Sequence, residues 1–124
     1  MKNEEFEEQK AFVHWCRLVE KRFPALRLAH HVPNGGLRSK ATAGKMKALG
    51  VKAGIPDIMI PVGNGLSIGL AIEFKAAKGR VKDNQAEVHR ALQDAGWVVE
   101  VCRTAGEAIT AASRYFLKKG AVSK

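Results

Sequence analysis

Acidic residues are absent between Lys21 and Pro56, cysteine occurs only twice, and no apolar run approaches the ~20 residues of a membrane span. The short apolar runs exclude a membrane-crossing helix. The acidic start, Glu4-Glu5-Phe6-Glu7-Glu8, is the opposite of a secretory signal, so a soluble, cytoplasmic protein is expected. Cys16 and Cys102 stand in unlike contexts, one on a helix and one ending a strand; both are expected reduced and buried. His14, His30, His31 and His89 have no zinc-ligand spacing, and neither a Walker pattern nor GxGxxG is present. No linker, internal repeat or low-complexity tract divides the chain. Its 124 residues are read as one domain, 1–124, large enough to bury roughly two-thirds of its unfolded surface.

What the chain does have is positive charge, +9 in total, and it is unevenly placed. The acid-free stretch carries eight basic residues: Lys21, Arg22, Arg27, Arg38, Lys40, Lys45, Lys47 and Lys52. Such asymmetry suits a polyanion, and nucleic acid is the obvious one. The candidates for phosphate contact are Arg38, Lys40, Lys45, Lys47 and Lys52, with Lys78, Arg80 and Lys82 from a second basic stretch. Such contacts position a duplex without reading its sequence, and they weaken with salt.

The periodicities predict the order α-β-(α)-β-β-α-β-α. A first helix over about 3–21 carries Phe6, Phe12, Val13, Cys16 and Val19 at helical spacing, and Pro24 stops it. Residues 26–32 read as a strand, Pro33-Asn34-Gly35-Gly36 as a loop, and 42–49 as a short basic helix ended by Gly50. Two strands follow, at about 57–62 and 67–75, joined by a turn at Gly63-Asn64-Gly65. A helix over 83–95, an apolar strand over 97–102, and a last helix complete the chain. That last helix opens on the capping-box spacing of Thr104 and Glu107 and ends near Gly120.

The chemistry concentrates on the two central strands. Fifteen residues separate Asp57, in Gly54-Ile55-Pro56-Asp57, from Glu73 in Glu73-Phe74-Lys75. Alternation puts Glu73 and Lys75 on one face of their strand and Ile72 and Phe74 on the other. If the strands pair as a hairpin, Asp57 lies near the end where Glu73 and Lys75 emerge. Charged groups in an otherwise apolar strand are costly unless they hold an ion or each other. Singly, Glu73 and Lys75 make an ordinary salt bridge and Asp57 a turn residue. Together they are the equipment for metal-assisted phosphodiester hydrolysis, with Asp57 and Glu73 as ligands of a hard cation such as Mg²⁺ or Mn²⁺. On the first helix, Glu5 and Gln9 fall inside the apolar stripe and Glu8 at its edge, so either Glu5 or Glu8 is a further carboxylate candidate. A helix-dipole role for them is the competing reading.

The ordered set resembles the VRR-NUC (virus-type replication–repair nuclease) family of PD-(D/E)xK nucleases over roughly residues 5–117. The matching elements are Glu5-Phe6-Glu7-Glu8-Gln9, Pro33-Asn34-Gly35-Gly36, Leu49-Gly50-Val51-Lys52-Ala53-Gly54-Ile55-Pro56-Asp57, Glu73-Phe74-Lys75, and Gly79-Arg80-Val81-Lys82-Asp83-Asn84-Gln85. The resemblance implies a restriction-endonuclease-like α/β fold, a mixed sheet flanked by helices. It implies catalysis by Asp57, Glu73, Lys75 and Gln85. Lys75 would orient or help deprotonate the attacking water, and Gln85 would position water, lysine or phosphate. The carbonyl of Phe74 would join the metal ligands, and Asn34 would face the substrate. Compact members of the family, often phage-borne, are similar to Holliday-junction resolvases. Two symmetric nicks require two active sites, which a homodimer supplies. A nuclease acting on flaps or single strands and a non-catalytic DNA-binding module are the rival readings. His30 and His31 face opposite sides of a strand, so at most one faces the cleft; Trp15 and Trp97 read as core or interface.

Overall fold

A computed structural model describes residues 3–33 and 39–117. Helix α1 (Asn3–Val19) is followed by a 3₁₀ turn (Pro24–Leu28), strand β1 (His30–His31), helix α2 (Lys40–Ala48), and strands β2 (Ile58–Ile60) and β3 (Gly69–Phe74). Helix α3 (Asp83–Asp94), strand β4 (Trp97–Cys102) and helix α4 (Ala105–Leu117) complete it. The four strands form one mixed sheet in the order β1-β2-β3-β4. The first two pairings are antiparallel, and β3 runs parallel to β4 through the α3 crossover. No helix among the described residues is long and apolar enough to cross a membrane.

One face of the sheet carries the apolar core. Ile58 and Ile60 lie opposite Ile72 and Leu70, and with Phe74 they pack against Phe12 and Cys16 of α1 and Ala108, Ala111, Ala112 and Tyr115 of α4. The Phe12 and Phe74 rings lie 6.1 Å apart. Strand β3 is buried on both faces, because α3 follows β3 and packs back against β4. Both cysteines are free and buried, and burial pushes each thiol up to about 12, where it stays protonated and inert.

The structure corrects the expected strand over 26–32. Only His30–His31 pairs with β2, and Pro24–Leu28 forms a 3₁₀ turn. Pro24 supplies the helical φ, and the amides of Leu26 and Ala29 close onto Phe23 and Leu26. That tight turn drops Leu26 into the core while leaving Arg27 and Leu28 outside.

The turn between the motif strands is also displaced. The amide of Asn64 donates to the Ser67 carbonyl, Asn64 Oδ1 accepts from the amides of Leu66 and Ser67, and its amide nitrogen donates to Tyr115 O. The reversal therefore centres on Gly65-Leu66, and Asn64 ties it to α4. The motif strands are shorter than expected, while α2 begins two residues earlier, at Lys40. The Pro33-Asn34-Gly35-Gly36 loop from Asn34 onward, Arg38, and the end of the last helix at Gly120 lie outside the described residues.

Candidate active site

The register of β2 on β3 pairs Ile58 with Ile72, so Asp57 at the mouth of β2 meets Glu73 across the strands. Its chain direction is set by Gly54, whose φ of +92° suits glycine and whose Cβ position would lie 2.8 Å from the Asn84 carbonyl of α3. A side chain there would push the strand entry off α3. Asp57 is buried, and its Oδ2 accepts the Phe74 amide at 2.8 Å. The Asp57 carbonyl accepts the Val32 amide and His31 Nδ1–H, the latter at 2.8 Å. Gln9 lies 2.9 Å from that same His31 nitrogen. Thus β1 braces the backbone that presents the carboxylate.

Glu73 is only 3% exposed, although its strand is otherwise apolar. Its Oε2 accepts from Gln85 Nε2 at 3.2 Å and lies 3.6 Å from Lys75 Nζ. Among the described residues its Oε1 has no hydrogen-bond partner; it faces His89 Nε2 at 3.6 Å, which has none there either. Gln85 reaches the site because its Oε1 accepts the Lys82 amide, one half of a capping box that starts α3. His89 stands one helical turn on, so Gln85 and His89 share the face of α3 that covers Glu73.

The electrostatics follow from two buried acids facing each other. Burial raises the Glu73 carboxyl, the Asp57 charge raises it further, and Lys75 opposes both. Asp57 is also raised, by burial first, with the Phe74 amide acting against it. The two buried acids repel as a pair of anions, an arrangement relieved by a proton on one of them or by a cation between them. His89 is lowered, by burial and then by Lys75. Among the described residues no group of three or more His, Cys, Asp or Glu is placed to hold a metal ion. Mg²⁺ does not require one, since it is commonly held by one or two carboxylates with water and substrate phosphate. The orphaned Oε1 of Glu73 and the paired acids fit such an ion.

The two helix-borne candidates part company. Glu5 Oε2 accepts the Ala76 amide at 3.2 Å, directly after Lys75, and its charge acts on Asp57. Glu8 Oε1 instead accepts the Ala105 amide at 2.7 Å. Glu8 thus sits at the N-terminus of α4, where the helix dipole favours an acid, while Glu5 sits beside the strand end that carries Lys75.

Lys40, Lys45 and Lys47 are exposed on α2, and Lys52 is exposed beyond it. Lys78 and Arg80 project from the connection after β3, with Lys82 at the start of α3; all three are exposed. Asn34 and Arg38 fall outside the described residues. Trp15 stacks beside Phe12, and Trp97 covers Gly69, so both are structural. His30 bonds the Leu28 carbonyl.

Sequence reasoning missed His89 and Arg103. The i, i+4 spacing of Gln85 and His89 was the available signal for the first. Arg103 left none, since its guanidinium reaches 24 residues back to the Gly79 carbonyl and also holds Ala76 O, clamping the connection that follows Lys75.

A family model described as the VRR-NUC domain matches residues 2–106. A solved structure titled "VRR_NUC domain protein" is similar to this chain with a TM-score of 0.79 and 27% identity, over 96% of this chain and 93% of the other. No curated protein matches it in sequence.

Proposed function

Since this chain belongs to the VRR-NUC family, whose nuclease character implies contact with DNA, we propose that it is a metal-dependent endodeoxyribonuclease selective for branched DNA. The observation that carries this reading is the pair of buried carboxyls, Asp57 and Glu73, flanked by Lys75 and Gln85. A binding module gains nothing from acids placed where phosphate must approach.

In this reading Asp57, Glu73 and the Phe74 carbonyl would hold Mg²⁺ or Mn²⁺, with Glu5 as the helix-borne acid beside them. When bound, the ion lowers the pKa of its water and offsets charge on the phosphoryl oxygens. Phe74 fixes Asp57 through its amide, and Gln85 fixes Glu73 through its side-chain nitrogen, so both acids are oriented before substrate arrives. Lys75 Nζ, held beside Glu73, orients the attacking water or helps deprotonate it. The exposed cations of α2 and of the β3–α3 connection hold the phosphates on either side of the cut.

The finer proposal is a Holliday-junction resolvase acting as a homodimer in the cytoplasm, because one site cuts one strand and resolution needs two symmetric nicks. The test is cleavage of labelled four-way junctions beside flap, splayed-arm, duplex and single-stranded DNA, with Mg²⁺, Mn²⁺ or EDTA. Paired symmetric nicks, absent in EDTA, are expected. Cutting only at flaps or single strands would replace the resolvase with a repair nuclease. Tight binding without metal-dependent cutting would leave a binding module.

A further inference from the structure

Helix α2 is defined at both its ends and, among the described residues, packs against no other helix or strand. Ser39 Oγ caps it by accepting the Thr42 amide at 3.1 Å. Its other end closes on Gly50, at φ +101°, with the Gly50 and Val51 amides donating to the Lys47 and Met46 carbonyls. None of its residues is buried, and among the described residues it lies against no other helix or strand. Leu49, at its C-cap, is 83% exposed. The sequence thus defines a helix by its two ends while giving it no apolar face to bury.

Such a helix cannot owe its shape to the core. Isolated helices shorter than about 12–15 residues are marginal in water, and α2 has nine, including Gly44 in its interior. Its side chains also point to what is missing. Lys40, Lys45 and Lys47 are its only charged residues, and no acid stands anywhere between Lys21 and Pro56. A polyanion complements that surface; a neutral or basic partner does not. The connection from α2 leads within a few residues to Gly54, seated on α3, and then to Asp57. Whatever α2 grips is therefore registered against the carboxyl pair.

Resting on the nuclease reading above, we infer that α2 is a DNA-docking arm that becomes a persistent helix only on the sugar-phosphate backbone. Its lysines hold phosphates, and the anchored connection at Gly54 delivers the gripped strand to Asp57. Binding and helix formation are then one coupled event, which sets this surface apart from the loop cations Lys78, Arg80 and Lys82.

The test is hydrogen–deuterium exchange of the whole chain in EDTA, alone and saturated with a four-way junction or a plain duplex. Exchange over residues 42–48 is expected to be nearly unprotected in the free protein and to slow at least tenfold on DNA. The combined substitution Lys40→Gln, Lys45→Gln and Lys47→Gln should weaken binding tenfold or more. It should lower the salt slope by about 2.7, at roughly 0.9 per lost phosphate contact, with no change in melting temperature. Gly44→Pro keeps every charge but breaks the helix, and should weaken binding comparably. DNA that binds without protecting α2, a triple variant with unchanged affinity and slope, or a Gly44→Pro protein that binds normally would each overturn the arm. Because every reading is taken without metal, failure to cut DNA would sink the nuclease proposal and leave this one standing.

Discussion

Asp57 Oδ2 accepts the backbone amide of Phe74 at 2.8 Å, so the first acid of the site is held by the residue between the second acid and the lysine. One hydrogen bond locks two strands in register at the point where chemistry is proposed. It occupies one oxygen of Asp57 and directs the carboxyl toward Glu73. Strand pairing alone would bring the two residues near each other; this bond orients them.

Asp57→Asn keeps a side-chain oxygen for the Phe74 amide and removes half of the like-charge pair. The variant is expected to fold, with a melting temperature in EDTA equal to or above that of the parent. Its cleavage should fall on the order of a hundredfold or more, as should that of Lys75→Ala, with DNA binding retained. Single-turnover assays beside thermal melts and binding titrations check this. Parental cutting rates in either variant would remove that residue from the mechanism.

Stability of the metal-free protein should fall as pH rises. The Glu73 carboxyl is pushed up to about 8 from 4.5, so between those values the folded state holds a proton that the unfolded state has released. The slope of unfolding free energy with pH is then negative. The contribution is fully present below about 4.5 and lost as pH rises through about 8. Thermal melts in EDTA across this range should show the decline, and Glu73→Gln should flatten it. Mn²⁺ or Mg²⁺ should restore stability at the alkaline end. A melting curve independent of pH in the parent would contradict the buried-pair electrostatics.

Glu5 and Glu8 should give opposite phenotypes. Glu8→Ala removes the acceptor of the Ala105 amide and should cost about 1 kcal/mol of stability, with cleavage at saturating metal retained. Glu5→Gln keeps an acceptor for Ala76 and should leave stability nearly unchanged while weakening Mn²⁺ binding and cleavage. Calorimetric metal titration and chemical denaturation, run on both variants, distinguish the two roles. An exchange of these phenotypes would reassign the ligand.

Gln85 has two attachments, one at each end of its amide. Gln85→Ala loses both the Lys82 cap and the bond to Glu73, and should reduce cleavage or metal affinity by roughly 10–100-fold. Gln85→Glu preserves the cap but brings a third acid against Glu73. It should be as inactive as Gln85→Ala while retaining the helix, as judged by circular dichroism. Activity close to the parent in Gln85→Glu would exclude a role for the donated hydrogen bond.

Much of this protein was determined by local pattern. Alternation along Glu73-Phe74-Lys75 set which side chains share a face, and β4 and the motif strands lay where β-rich apolar runs stood between turn residues. The basic bias of residues 21–56 needed only counting. Patterns of that kind survive because they depend on neighbours within a few residues. The strand expected over 26–32 failed for the same reason: Pro24 and the single buried Leu26 favoured a 3₁₀ turn, and nothing local revealed that only His30–His31 would find a partner strand.

Tertiary structure decided everything that rests on contacts across the chain. Glu5 and Glu8 were both candidates in the sequence, one inside the apolar stripe of α1 and one at its edge. They were separated only when α4 presented the Ala105 amide to one and the end of β3 presented Ala76 to the other. His89 entered the site because α3 crosses over Glu73, and Arg103 because it follows the strand that runs parallel to β3. The raised pKa values of Asp57 and Glu73 belong to neither residue alone, since desolvation and like-charge repulsion exist only once both are buried together. Sequence determined which groups were available; packing determined which of them meet.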